Sequence, residues 1–177
     1  MKSLEADVVV IGGGSTGVGV VRDAAMRGYR AVLLERADLG QGTTARFHGL
    51  LHSGGRYVVS DPQSATECAE ENAIIARIQA HAVERTGGYF VATHVDDPAW
   101  GDEWAKGATD TKVPFEEVSV TEVLKAEPRV NPKISRAFKV EDGSVDGWQM
   151  VWSAANSAKL YGAQILTYHR VTKIERD

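Results

Sequence analysis

The chain has 177 residues, of which 43% are hydrophobic and 25% are charged, proportions that are ordinary for a globular protein. Its 20 lysines and arginines against 24 aspartates and glutamates give a net charge of −4 at pH 7, and no basic cluster points to nucleic acid as a partner. The single cysteine, Cys68, excludes an internal disulfide and a thiolate metal site, and this usage favours a reducing cytoplasm. We predict no metal site, and no apolar run approaches the ~18 residues that a bilayer crossing requires.

The first 35 residues contain a strand–turn–helix–strand pattern. Val8–Ile11 is an apolar run that predicts a buried strand. It leads into the sequence GGGSTG over 12–17, a helical segment over about 15–27, and a second apolar run, Ala31–Leu34, that ends at Glu35. A G-x-G-x-x-G sequence with a strand before it, a helix after it and an acid 18 residues later indicates a dinucleotide-binding site. Glu35 is placed to accept hydrogen bonds from the ribose of the cofactor and to repel a 2′-phosphate.

Each glycine of the motif has its own predicted task. We expect Gly12 to permit the tight turn, Gly14 to let the backbone approach a pyrophosphate, and Gly17 to let the helix pack closely on the sheet. The phosphates would then lie on the amino-terminal turn of the helix, which contains Ser15 and Thr16.

Downstream of the second strand, residues 43–57 (TTARFHGLLHSGGRY) follow neither a helical nor a strand period. Glycines flank or interrupt this segment, which is typical of chain that brings its backbone against a ligand or turns sharply. The remaining elements are predicted in this order: a helix from a capping box at Ser64 and Glu67 to about Arg85, a strand over 89–93, a short helix over 96–107 with exposed tryptophans at its margin, an edge strand over 113–118, a helix capped by Ser119 and ended by Pro128, a hairpin over 134–145 that turns at Asp142 and Gly143, a helix from Asp146 to Gly162, and a strand over 164–174.

The glycine-flanked segment carries a resemblance to a known family. GTTARFHGLLHSGGRY, residues 42–57, closely resembles the flavin-contacting segment of FAD-dependent glycerol-3-phosphate dehydrogenases, and most of all that of the catalytic A subunit of the anaerobic enzyme. Together with the glycine motif and KVEDGSVD over 139–146, the resemblance covers nearly the whole chain. The stretch HGLLHSGGRY is its most specific part, because glycine loops of this kind occur in many flavoproteins.

The resemblance implies an α/β fold. It predicts a Rossmann-like FAD-binding domain of the glutathione-reductase type, present in part, with the start of an interleaved α+β substrate domain. The expected boundaries are 1–85 for the FAD-binding strands, helix and flavin-contact segment, 86–160 for part of the substrate or cap domain, and 161–177 for the strand that returns to the FAD domain. Because a doubly wound sheet needs more strands than these, we expect the chain to be the amino-terminal, truncated portion of a longer enzyme.

The resemblance also assigns FAD as the cofactor and names its contacts. The pyrophosphate would lie over the three motif glycines, and the adenosine ribose on Glu35 with Arg36 nearby. The backbone of Val171 matches a position that reads the adenine edge. The other residues expected to contact the pyrophosphate, the ribityl chain or the isoalloxazine are Thr43, Thr44, His48, Gly49, Leu50 and Leu51.

The implied reaction is hydride transfer from C2 of sn-glycerol 3-phosphate to flavin N5, giving dihydroxyacetone phosphate. Arg56 is assigned to the substrate phosphate, since a planar guanidinium offers it paired donors. His48 and His52 are both candidates for acid–base catalysis, and His52 is the one that we assign to the catalytic site. The electrons would pass to a quinone pool through partner subunits or a peripheral membrane contact, in a cytoplasmic enzyme of glycerol metabolism at the inner face of the cell membrane.

Other interpretations of the sequence stay open. His48 fits a loop histidine as well as a flavin contact, and Arg56 alternatively pairs with Asp61 or Glu67. For the whole chain, the alternatives are another FAD-dependent oxidoreductase of the same fold, acting on a 2-hydroxy acid or an amino acid, and a non-catalytic module that binds FAD or nothing. A nicotinamide-dependent dehydrogenase is a further rival, which the colour of the purified protein would exclude.

Overall fold

The computed structural model describes residues 3–176, and these fold as two compact units. The first unit is formed by residues 3–49 together with 146–176, and the second by residues 50–145. The elements in chain order are β1 (Val8–Ile11), α1 (Ser15–Met26), β2 (Ala31–Leu34), β3 (Leu50–Leu51), α2 (Pro62–Ile78), β4 (Val83–Glu84), β5 (Gly88–Thr93), α3 (Trp100–Asp110), β6 (Phe115–Val118), α4 (Val120–Ala126), β7 (Ile134–Val140), β8 (Gly143–Val145), α5 (Gly147–Leu160) and β9 (Gln164–Leu166).

The unit boundaries differ from those expected at residues 85 and 160. Residues 50–85 belong to the second unit, because β3 and β4 both pair with β8. Residues 146–160 belong to the first unit, because α5 packs against α1 in a shared apolar core. That the second unit binds the substrate stays a prediction.

The first unit is built on a parallel sheet with the strand order β1–β2–β9. Its core lies where α1 and α5 meet and consists of small aliphatic side chains, among them Val18, Val21, Leu33, Val151 and Ala155, each at most 1% exposed. Short side chains allow two helices to approach closely, and their burial stabilises the unit through the apolar area removed from water. The predicted β1, α1 and β2 are confirmed as elements, but the expectation that β1 is buried is wrong, since Val9 and Ile11 are each 57% exposed.

The returning strand is shorter than the predicted 164–174 and ends at Leu166. Beyond it, Tyr168 takes a positive φ of 60° and its N–H donates to the Ala37 carbonyl (3.0 Å). The N–H of His169 donates to the carbonyl of Glu35 (2.8 Å). These bonds turn the chain out of the strand and carry it past the end of β2, which places the residues that follow beside Glu35.

The second unit contains two antiparallel sheets, with the strand orders β3–β8–β4 and β5–β7–β6. One of its two apolar clusters is rich in aromatic side chains: the ring of Trp104 lies 4.8 Å from that of Phe138, 5.1 Å from Phe90 and 5.3 Å from Phe115. The Trp104 Nε1–H donates to the Gly55 carbonyl (3.0 Å), so its one polar group is satisfied inside the core. The expectation of exposed tryptophans is therefore wrong for Trp104, which is 2% exposed. The helix begins at residue 100 instead of 96, and Trp104 lies on the side of it that packs against the sheet.

Helix α2 has a different amino-terminal cap from the one predicted. Asp61, not Ser64, is the cap, and its carboxylate accepts hydrogen bonds from the N–H (3.1 Å) and the hydroxyl (2.7 Å) of Ser64. These bonds hold the pKa of Asp61 below its usual value. The helix also ends at Ile78, well before Arg85, because the next residues form a 3₁₀ turn and then β4.

The caps predicted for the two later helices are confirmed. The hydroxyl of Ser119 accepts from the N–H of Glu122 at the start of α4 (3.1 Å). The carboxylate of Asp146 accepts from the N–H groups of Trp148 (2.9 Å) and Gln149 (3.0 Å) at the start of α5. Each side chain satisfies an amide that has no partner within its helix.

The predicted hairpin over 134–145 is wrong. The strands β7 and β8 are the central strands of two different sheets and do not pair with each other. At the connection between them, the carboxylate of Asp142 accepts hydrogen bonds from Ser53, far away along the chain. This long-range contact directs the connection away from a two-strand turn.

Candidate functional site

The glycine turn has the geometry that its sequence predicts. Gly12 adopts a φ of +109°, a conformation that residues with a Cβ rarely take. A Cβ on Gly17 would lie 1.9 Å from the Gly12 carbonyl oxygen, so only glycine lets α1 approach the end of β1 this closely. A Cβ on Gly14 would lie 3.1 Å from the hydroxyl of Thr44. Two of the three glycines are thus required by the protein's own backbone.

Gly13, a variable position of the motif that no sequence prediction singled out, is also closely surrounded, although by side chains and not by backbone. A Cβ there would lie 2.6 Å from the Leu39 side chain and 3.1 Å from that of Glu35. The Gly13 N–H donates to the Glu35 carboxylate (2.7 Å), and its carbonyl accepts from the N–H of Gly40 (2.9 Å). The only signal in the sequence is that three glycines are consecutive.

Glu35 lies at the end of β2, next to this turn. One carboxylate oxygen accepts from Gly13, and the other accepts from the N–H of Ala37 (2.8 Å). Partial burial alone would raise the pKa of Glu35. The two backbone hydrogen bonds and the nearby charge of Arg36 together lower it by more, so the net shift of the pKa is downward. The group is therefore a carboxylate at neutral pH. Each oxygen retains acceptor capacity for a ribose hydroxyl.

The amino terminus of α1 is capped from a distant segment. Gly14 is the cap residue and has no side chain to offer, and the N–H of Ser15 instead donates to the hydroxyl of Thr44 (3.1 Å). Thr44 belongs to a 3₁₀ turn, Thr43–Arg46. This contact brings Thr43 and Thr44 to the end of the helix at which phosphates bind in dinucleotide sites.

Two clefts adjoin at the glycine turn. The first, of about 590 Å³, contains the turn, the first residues of α1, Thr43 and Thr44. The second, of about 480 Å³, contains Arg36 and Val171. Both are lined by Ile11, Gly12 and Glu35. The first unit thus brings together most of the residues predicted to bind the cofactor: Gly12, Gly14, Ser15, Thr16, Gly17, Glu35, Arg36, Thr43, Thr44 and Val171.

The clefts also contain residues that sequence reasoning did not nominate. Gln41 and Phe47 line the first cleft, and so does Met150 from α5. His169 and Arg170 line the second. Met150 lies more than 100 residues from the glycine turn in sequence, so no local pattern marks it.

The predicted flavin-contact segment is shared between the two units. His48 and Gly49 are the last residues of the first unit before the chain enters the second. His48 is exposed, and its ring lies 5.9 Å from that of Phe47. Leu50 and Leu51 form β3 in the second unit.

His52 and Ser53 both contact Asp142. The His52 Nδ1 lies 3.2 Å from one Asp142 carboxylate oxygen, and the other oxygen accepts from the N–H (2.7 Å) and the hydroxyl (2.6 Å) of Ser53. The side chains of His52 and Asp142 are 22% and 13% exposed. From the sequence, Asp142 is predicted only as a turn residue, and the signal that points to it is its place in KVEDGSVD.

Arg56 is exposed and follows two constrained glycines. Gly54 has a φ of +99°, and a Cβ there would lie 2.3 Å from a backbone oxygen of α2. A Cβ on Gly55 would lie 2.7 Å from the ring of Phe90. The two acids considered as partners of Arg56 are bonded elsewhere, since Asp61 binds Ser64 and Glu67 accepts from Gln63. Among residues 3–176, no ion pair joins Arg56 to either acid.

Two further classes of site are absent from the described part of the chain. Within residues 3–176, no group of three or more His, Cys, Asp or Glu is arranged to hold a metal ion. Over the same residues, no helix combines the length and the apolar character of a membrane crossing.

The chain is similar to known proteins over nearly its whole length. The family model of FAD dependent oxidoreductases matches residues 7–177. The A1 subunit of the anaerobic glycerol-3-phosphate dehydrogenase of Haloferax volcanii is 47% identical over 94% of this chain and 28% of its own length. The corresponding A subunit from Escherichia coli K12 is 43% identical over 99% of this chain and 32% of its own length. The chain thus spans about a third or less of these relatives.

A solved structure supports the fold. The L-α-glycerophosphate oxidase of Mycoplasma pneumoniae, determined with FAD bound, superposes with a TM-score of 0.76 at 22% sequence identity, over 93% of this chain and 46% of that one. The predicted fold class, a Rossmann-like FAD-binding domain of the glutathione-reductase type interleaved with an α+β part, is confirmed. FAD is the cofactor of the family.

Proposed function

The chain belongs to the family of FAD-dependent oxidoreductases, and we propose that it is the FAD-binding part of an enzyme that oxidises sn-glycerol 3-phosphate to dihydroxyacetone phosphate. The observation that carries this proposal is the 43–47% identity, over nearly all of the chain, with the A subunits of anaerobic glycerol-3-phosphate dehydrogenases. It favours a phosphorylated polyol over the 2-hydroxy acids and amino acids considered as alternatives.

The first unit is the part of the chain that we assign to the dinucleotide. A dinucleotide site needs close backbone approach to the pyrophosphate and an acceptor for the ribose. The glycine turn and the ionised Glu35 supply these features, so the residues present fit FAD. Thr43 and Thr44 would bind the pyrophosphate or ribityl chain, Arg36 would flank the ribose, and the Val171 backbone would meet the adenine edge.

When bound, FAD supplies the two-electron acceptor for the hydride that leaves C2 of the substrate. The backbone of residues 48–51 would orient the isoalloxazine. Arg56 would bind the substrate phosphate, and its exposure and lack of an ion pair with Asp61 or Glu67 leave its paired donors available for that task.

We assign His52 to receive the proton of the C2 hydroxyl as the hydride leaves, so that the alcohol becomes a carbonyl. The Nε2 of His52 is shielded from solvent, so a substrate contact at this atom requires the residues around it to shift on binding. Catalytic hydrogen bonds often tighten only in the substrate complex.

The two relatives are named as subunits of a larger enzyme. We extend this to the present chain and propose that its electrons leave through partner subunits or a peripheral membrane contact towards a quinone pool. Such an enzyme of glycerol metabolism would work in the cytoplasm at the inner face of the cell membrane.

The visible absorption spectrum tests these assignments in order. The purified chain is titrated with FAD, freed of unbound cofactor, and mixed anaerobically with sn-glycerol 3-phosphate. Bound flavin that bleaches with this substrate, but not with glycerol or a 2-hydroxy acid, supports the assignment of FAD as the cofactor and of sn-glycerol 3-phosphate as the substrate. Flavin that binds and bleaches only with an unphosphorylated substrate overturns the substrate assignment. A chain that retains no flavin overturns the assignment of the first unit.

A further inference from the structure

The carboxylate of Asp142 is held in a fixed position behind His52. Asp142 directly precedes β8, and β8 pairs with β3, the strand that ends just before His52. Both donors of Ser53 converge on one carboxylate oxygen, at 2.7 and 2.6 Å, and Ser53 is itself 2% exposed. The other oxygen faces the Nδ1 of His52 at 3.2 Å. Three polar contacts and a strand pairing therefore determine where this carboxylate lies.

This arrangement selects one tautomer of the imidazole. A backbone N–H can only donate, so the oxygen bonded to Ser53 accepts, and in the ionised carboxylate the second oxygen can only accept as well. The nitrogen that faces it must then carry the proton. In the neutral ring of His52, the proton lies on Nδ1 and the lone pair on Nε2. Because Nε2 is shielded from solvent, water does not compete for the choice.

We propose that Asp142 is a positioning residue, which fixes the orientation of the His52 ring and the tautomer in which Nε2 accepts a proton. A carboxylate hydrogen-bonded to one ring nitrogen prepares the other for proton transfer in the same way in the Ser-His-Asp triad. The consequence for catalysis rests on the proposed function, in which His52 receives the proton of the substrate hydroxyl. The tautomer itself does not depend on that proposal.

The test exchanges Asp142 for asparagine and reads the ring directly. In Asp142→Asn, the N–H of Ser53 must still face an oxygen, so the new NH₂ group faces His52 and donates to Nδ1. We expect the proton to move to Nε2. The measurement is ¹⁵N NMR of the histidine ring nitrogens in the labelled chain, with His52 identified by its loss in a His52→Gln variant. Glu141→Gln is the matched control, because it removes the same charge one residue earlier from an exposed side chain.

The expected result is protonation on Nδ1 in the parent chain and in Glu141→Gln, and on Nε2 in Asp142→Asn with backbone amide signals otherwise preserved. Protonation on Nε2 in the parent, or no change in a folded Asp142→Asn variant, overturns the proposal. If the asparagine variant does not fold, the parent spectrum still decides, and Asp142→Glu, which keeps the acceptor, must preserve the Nδ1 proton.

Flavin reduction separates this proposal from the proposed function. In the FAD-loaded protein at saturating sn-glycerol 3-phosphate, Asp142→Asn should slow flavin bleaching by about 10²- to 10⁴-fold with little change in KM, because a general base contributes that much. A tautomer that switches without a change in rate supports Asp142 as a positioning residue and contradicts the role of His52 in proton transfer. A tautomer that does not switch contradicts the positioning role, whatever the rate.

Discussion

Replacing Gly17 with alanine tests the close contact between α1 and the end of β1. The added Cβ would lie 1.9 Å from the Gly12 carbonyl oxygen and 3.5 Å from the Val10 side chain. Because the obstructing atom belongs to the backbone, no rotamer change relieves the overlap, and α1 must move away from the sheet by more than about 1 Å, against van der Waals separations of about 3.5 Å. Overpacking of this kind costs about 1–3 kcal/mol.

Gly19 is a matched control in the same helix. A Cβ there meets nothing within 4 Å, and its backbone is helical. Since alanine is favoured over glycine in a helix interior by about 1 kcal/mol, Gly19→Ala should stabilise the chain by roughly that amount. The two substitutions add the same methyl group two residues apart in one helix, so the gain in helix propensity is common to both, and their free energies of unfolding should differ by about 1–3 kcal/mol, the cost of overpacking.

Urea unfolding followed by far-ultraviolet circular dichroism measures this difference. For a chain of this size, each kcal/mol corresponds to about 2–4 °C in Tm, so thermal unfolding provides a second estimate. The FAD affinity of Gly17→Ala should fall as well, because the displaced helix carries the backbone amides that we propose bind the pyrophosphate. The reasoning is refuted if Gly17→Ala is as stable as Gly19→Ala, since the helix would then tolerate the displacement.

Three further outcomes are expected. Because folding lowers the pKa of Glu35, the contribution of this group to stability is complete above its unfolded pKa of about 4.3 and is lost as the pH falls through the folded pKa. As the pH is lowered below about 4.3, the free energy of unfolding of Glu35→Gln should therefore fall less steeply than that of the parent, which acid unfolding measures. Arg56→Ala should raise the KM for sn-glycerol 3-phosphate at least about 10-fold in flavin-bleaching assays, whereas Arg46→Ala, an exposed arginine outside the proposed phosphate contact, should not; equal effects would contradict the assignment. Gly55→Ala places a Cβ 2.7 Å from the ring of Phe90 and should lower the free energy of unfolding by about 1–3 kcal/mol, and a neutral result in urea would show that the ring yields.

Elements encoded by neighbouring residues are predicted better than features that depend on contacts between distant parts of the chain. The strands β1 and β2 are uninterrupted aliphatic runs. Ser119 caps α4 and Asp146 caps α5, the helices that begin at the next residue. Each of these features is determined by a few neighbouring residues. Asp61 was missed as a cap because Ser64 satisfies the same pattern three residues later. The hairpin prediction at Asp142 is wrong because the bond from this residue to Ser53 spans 89 residues, which no local pattern encodes.

The candidate site likewise contains residues whose roles the sequence predicts and residues whose roles it does not. The roles of Gly12 and Gly17 follow from the motif, and the structure places both as expected. Gly13 is fixed by Leu39 and Glu35, which approach it only after β2 has folded beside β1. Met150 reaches the cleft from a helix far away along the chain. Residues of this second kind are determined by packing, and a sequence without its fold contains no sign of them.

The division of the first unit into two stretches sets an order for biosynthesis. The strand β2 pairs on one side with β9, and the 96 residues of the second unit are made between the two parts of this sheet. At ribosomal rates of about 5–20 residues per second, the roughly 130 residues from the end of β2 to β9 take about 6–26 s to make, so β1 and β2 emerge that long before β9 exists. The contiguous sequence of the second unit is complete before α5 and β9 are made, whereas throughout that interval α1 lacks the finished α5, the helix that covers its apolar side. The first unit therefore spends this time with exposed aliphatic surface and an unpaired strand edge, the condition in which chaperones bind nascent chains.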